Sequence, residues 1–95
     1  MDKHNILKIL SAHKNEFSEK FGVKTIGLFG SFANDNAVEE SDIDIFVEMP
    51  PKYDCLIHLQ DELEQLLHHK IDLIRLRDRM NPRLKENIVQ DGLYA

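Results

Sequence analysis

Cysteine is almost absent. Cys55 stands alone, which excludes a disulfide framework and a cysteine-based zinc site. Unpaired cysteine suits a reducing compartment, so the cytoplasm is the expected location. Cys55 falls at the start of an expected helix and reads as a small packed residue. There are three prolines and four glycines and no low-complexity run, so a disordered chain is not expected. No apolar run approaches the ~20 residues of a membrane span, so no membrane partner is expected. The opening MDKHNILKIL lacks the apolar centre and small-residue cleavage site of a signal peptide. Net positive charge is also lacking. At −5 the whole chain is a poor match for nucleic-acid phosphates, and nucleic acid is not an expected partner. The charge is uneven, however. Lys70, Arg75, Arg77, Arg79, Arg83 and Lys85 outnumber Asp72 and Asp78 in one basic strip. Such a strip can meet phosphates or an acidic partner, or simply be a solvated surface.

What is present is ordinary for a globular chain: 95 residues, 42% hydrophobic and 31% charged. That length is expected to form one domain, residues 1–95, with a modest core. Residues 3–21 carry Ile6, Leu10, His13, Phe17 and Phe21 at helical steps, and Gly22 follows as a stop. Residues 24–29 read as a short β-branched strand bounded by glycine. Residues 31–34 can open a short helix with Ser31 near its start, and residues 35–41 read as a polar, acidic loop. Residues 42–48 alternate as a strand, with Ile43, Ile45 and Val47 on one face and Asp42, Asp44 and Phe46 on the other. Residues 54–69 form a second amphipathic helix and residues 70–76 a third strand. Asn81 and Pro82 cap and open a last helix that stops at Gly92. His4, His13 and the His68-His69 pair, which lies at a helix end, read as packing or surface residues. The fold class is therefore α/β (α+β): a small three- or four-stranded sheet flanked by helices.

Three aspartates break this pattern. Asp42 and Asp44 share one strand face, roughly 7 Å apart. Like charges held this close repel and raise each other's pKa unless a cation lies between them. Asp72 sits inside the third apolar strand between Ile71 and Leu73, where an aspartate is disfavoured and needs compensation. If that strand lies beside the one carrying Asp42 and Asp44, the three carboxylates can converge. Such a trio suits magnesium or manganese and can hold two ions for an in-line displacement at phosphorus. Gly30 lets the backbone approach a phosphate, and Ser31 and nearby N–H groups can donate to it.

The joint pattern resembles a minimal nucleotidyltransferase (MNT) of the polymerase-β-like superfamily. The matching features are Gly30-Ser31, nine intervening residues, Ser41-Asp42-Ile43-Asp44, and Asp72 within Lys70-Ile71-Asp72-Leu73. The closing Ile88-Val89-Gln90-Asp91-Gly92-Leu93-Tyr94 resembles the family's ending. The resemblance implies the polymerase-β-like fold with a mixed sheet. It implies transfer of AMP from ATP to a hydroxyl with Mg²⁺ and release of pyrophosphate. Asp42, Asp44 and Asp72 would bind the metal ions and carry catalysis, with Asp72 also helping to activate the acceptor. Gly30, Ser31 and Ser41 would bind the nucleotide. Many stand-alone MNT proteins are antitoxins that add AMP to a tyrosine of a HEPN-domain toxin, so a hetero-oligomer with such a toxin is the implied assembly. Two alternatives remain: a non-catalytic module that covers a toxin, and a small-molecule transferase completed by a partner subunit. One segment departs from the family. Asn34-Asp35-Asn36 stands where Arg-Gly is usual, which removes a natural phosphate ligand. Lys52, Arg75 and Arg77 are the candidates to replace it.

Overall fold

The computed structural model describes all 95 residues. Its elements are α1 (Lys3–Phe21), β1 (Thr25–Phe29), α2 (Gly30–Ala33), β2 (Ile43–Glu48), α3 (Tyr53–Leu67), β3 (Ile71–Arg75), α4 (Pro82–Asp91) and β4 (Leu93–Tyr94). The seven expected elements form in the expected order. β4 is an addition that the sequence pattern does not announce.

The helices form where an apolar stripe coincides with usable ends. At the start of α1 the Asp2 carboxylate accepts the Asn5 N–H at 3.0 Å, a cap worth about 1 kcal/mol. Gly22 ends α1 in the left-handed region (φ 72°) and donates its N–H to carbonyls of the last turn. Ile6, Leu10 and Phe17 are wholly buried, each contributing roughly 1.5–3 kcal/mol. α3 buries Leu59, Leu63 and Leu67 and is ended by His68 at φ 50°, a position more often filled by glycine. Asn81 Oδ1 accepts the N–H groups of Arg83 and Leu84 and starts α4. Gly92 does not end α4 in the left-handed conformation that a terminal glycine suggests. It is extended (φ −69°, ψ 145°), because the chain runs directly into β4. A Cβ there would lie 2.3 Å from the Ile88 carbonyl oxygen, so close approach is what requires glycine.

The strand order is β3-β2-β1-β4. β1 is antiparallel to both β2 and β4, and β2 is parallel to β3. The sheet is therefore mixed. One face carries Ile26, Leu28, Ile43, Ile45, Val47 and Ile71 and packs with the buried residues of α1 and α3. The other face has a smaller cluster in which Phe46 meets Met80 and Ile88. α4 thus covers the Phe46 end of that face. Two residues earlier on β2, the same face presents Asp44, which is only half-buried. No helix is long and apolar enough to cross a membrane.

Candidate active site

The parallel register of β2 and β3 places Asp44 directly opposite Asp72. Both side chains leave the same face of strands about 5 Å apart. The carboxyl of Asp44 is pushed up to about 6. Burial is the first cause, followed by the charges of Asp72 and then Asp42, and by hydrogen bonding to Asp72. The charges of Asp72 and Asp42 thus both act on Asp44. The three carboxylates do not meet at one point. No three His, Cys, Asp or Glu side chains are gathered closely enough to hold a metal ion as they stand. Asp42 lies one residue before β2 and leans toward Lys70, with Oδ2 at 4.0 Å from Nζ. The donor set is all oxygen and carries several negative charges, which fits a hard divalent cation. Asp42 and Asp44 with Asp72 are the residues that would hold one.

Gly30 adjoins Asp44 directly, and Ser31 follows it in α2. Phe29, the last residue of β1, pairs with Asp44, and α2 begins at the next residue. Gly30 has φ 73°, and a Cβ there would stand 2.2 Å from Asp44 Oδ2. Only glycine meets both demands. The first N–H groups of α2 have no partner within the helix and begin at Gly30, beside the Asp44 carboxylate. Ser41 is engaged within its own loop, where its hydroxyl accepts the Val38 N–H at 2.9 Å. Its placement keeps the 38–41 turn closed in front of Asp42.

The segment that departs from the family pattern has a structural explanation. Asp35 adopts φ 60°, in the left-handed region that glycine enters freely and that aspartate tolerates better than most residues. Its carboxylate turns to Lys3, with Nζ–Oδ2 at 2.8 Å. The three expected replacements for the arginine are not brought to the acids. Lys52 precedes α3, beyond the far end of β2. Arg75 pairs with Val47, about 10 Å along the strands from Asp44. Its Nε donates to the Met49 carbonyl, and Arg77 donates to the Arg75 carbonyl. Lys85 pairs with Asp78 at 3.2 Å. The basic strip is thus dispersed, and Lys70 is the member placed beside the acids. In the sequence Lys70 reads as part of the basic strip and His69 as a packing or surface residue at a helix end, and neither is given a part in the site. Their one signal is adjacency to the strand that carries Asp72.

Comparison with known proteins follows the same lines. Residues 11–94 match the family model "Polymerase beta, Nucleotidyltransferase". A chain from Methanocaldococcus jannaschii, MJ1379, named as a candidate protein adenylyltransferase, is 41% identical over 94 residues, spanning 95% of this chain and 94% of that one. The protein adenylyltransferase MntA of Thermococcus cleftensis is 36% identical over 92 residues, spanning 95% and 92%. Among solved structures, a candidate minimal nucleotidyltransferase superposes with TM-score 0.80 at 25% identity, covering 98% of this chain and 95% of that one. A toxin–antitoxin structure with AMP-PNP superposes with TM-score 0.72 at 26% identity, covering 99% and 72%. An MNT antitoxin complex with a tri-AMPylated HEPN toxin from Shewanella oneidensis gives TM-score 0.62 at 26% identity, covering 97% and 66%.

Proposed function

The chain belongs to the polymerase-β nucleotidyltransferase family, and on that premise we propose that it transfers AMP from ATP to a tyrosine hydroxyl of a HEPN-domain toxin and so acts as an antitoxin. The observation that carries this reading is the register of Asp44 against Asp72 with Gly30 packed on the Asp44 carboxylate. It sets a phosphate-approach point and an acidic cluster side by side. The relatives named for protein adenylylation and the neighbouring toxin–antitoxin complexes support the same reading.

The chemistry follows from the placement. Backbone N–H groups at Gly30 and Ser31 cradle the triphosphate and fix its α-phosphorus over the acids. Asp42 and Asp44 would hold magnesium, with Asp72 completing the set. When bound, two such ions supply positive charge to the triphosphate and to the attacking oxygen. Asp72 is the more exposed partner of the Asp44 pair, which leaves its carboxylate open to an incoming hydroxyl. It takes the hydroxyl proton as the new O–P bond forms, and the bond to the β-phosphate breaks with its electron pair leaving on pyrophosphate.

Asn34, standing where the family carries arginine, favours a second reading in which the chain neutralises by covering its toxin. Cells expressing the toxin separate the two. The Asp42→Asn/Asp44→Asn double variant is expected to bind toxin, by co-purification, yet fail to restore growth. Full rescue by that variant would overturn the catalytic reading and leave the covering one.

A further inference from the structure

His69 and Lys70 form a bracket around Asp42. His69 Nε2 meets the Ser41 carbonyl oxygen, on the near side of Asp42. A carbonyl can only accept, so the imidazole is the donor. On the far side, the Ile43 N–H donates to the Lys70 carbonyl at 3.0 Å. The residue before Asp42 and the residue after it are thus both tied to the turn that follows α3. The His69 ring also stands edge-on to Phe32, with centroids 5.7 Å apart. Phe32 follows Ser31 in α2, so one imidazole touches both halves of the candidate site. His68 at φ 50° reverses the chain after α3 and turns His69 inward, where it is half-buried.

We propose that His69 is a positioning residue of the nucleotidyltransferase site: its Nε2–H holds the Ser41-Asp42 backbone, and its ring holds α2, so that the phosphate-binding and acidic halves keep one spacing. This rests on the functional reading above. In this role His69 acts through Asp42 and α2 and needs no contact of its own with nucleotide or acceptor. Residues that orient metal ligands commonly change metal affinity or activity by about 10- to 100-fold when replaced.

Two variants divide its contacts. His69→Gln keeps a donor near the Nε2 position and gives up the ring, while His69→Phe keeps a ring against Phe32 and gives up the donor. Mn²⁺ affinity in the presence of ATP is read by paramagnetic resonance, and thermal midpoints by circular dichroism. Amide hydrogen exchange at Ser41 and Ile43 gives a readout that needs no metal. We expect His69→Phe to weaken Mn²⁺ binding by about tenfold and to speed exchange at both amides. His69→Gln should keep slow exchange at both amides, because the donor survives, and should weaken Mn²⁺ binding less than His69→Phe does, by the share that the ring contact with Phe32 carries. The thermal midpoints of the two variants should differ little. The proposal is overturned if His69→Phe leaves amide exchange and Mn²⁺ affinity unchanged, or if both variants lose affinity equally and in step with their thermal midpoints. A wild-type chain that binds no Mn²⁺-ATP would refute the nucleotidyltransferase reading, whereas exchange at Ser41 and Ile43 would still decide whether His69 holds this backbone.

Discussion

At the scale of single residues, Asp44 concentrates the strain of the site. Its carboxyl, raised to about 6 by burial and by Asp72 and Asp42, keeps its proton more tightly folded than unfolded. Between the ordinary carboxylate range near 4 and pH 6 the folded chain therefore binds more protons than the unfolded one. The resulting stabilisation is complete below pH 4, declines as pH rises, and is gone above about 6. Replacing the group with an amide removes both the proton and the repulsion. Asp44→Asn is expected to show a flatter fall of urea midpoint between pH 4 and 7 than wild type, and a higher midpoint at pH 7.5. Parallel midpoint curves for the two proteins would show that Asp44 does not titrate as described. The sequence made the Asp42-X-Asp44 pair legible through strand alternation, and Asp72 through its oddity inside an apolar strand. The register that sets Asp44 against Asp72 was not legible, because strand pairing is decided by packing between distant segments. The inclination of Asp42 toward Lys70 was also hidden, since it depends on where the turn after α3 delivers that lysine.

At the scale of elements, periodicity carried most of the reading. Ile6, Leu10 and Phe17 on α1, and Leu59 and Leu63 on α3, recur at helical steps, and Ile43, Ile45 and Val47 alternate on β2. β4 escaped because two residues have no period. It exists because Gly27 leaves room beside it: a Cβ at that position would stand 2.5 Å from the Leu93 carbonyl oxygen and 2.3 Å from Phe46 Cζ. A lone glycine in a central strand often marks such a close approach. The end of α3 offers a test of element-level strain. His68 pays the steric cost of a left-handed conformation that glycine adopts freely. His68→Gly is expected to raise folding stability by about 1 kcal/mol, partly offset by the greater freedom of glycine when unfolded. Denaturant titration measures it, and a clear loss of stability would mean that the His68 side chain holds the turn in some other way.

At the scale of the whole molecule, the fold divides its labour between the two sheet faces. The face under α1 and α3 carries the main core. The other is sealed by α4 at Phe46 and presents Asp44 and Asp72 at its other end. A site on an incompletely covered sheet face leaves room for a large acceptor, such as a segment of another protein, to approach. The segment Asn34-Asp35 lacks the arginine usual in the resembled family, and Asp35, at φ 60°, pairs its carboxylate with Lys3. Whether the chain catalyses transfer without that arginine is answered by incubating the purified chain with the HEPN-domain toxin proposed as its partner, labelled ATP and Mg²⁺, and following label into the toxin. Wild type is expected to place AMP on a toxin tyrosine, and Asp44→Asn, equally well folded, to place none. A folded wild-type chain that binds the toxin and transfers no label would contradict the assignment of Asp42, Asp44 and Asp72 to catalysis.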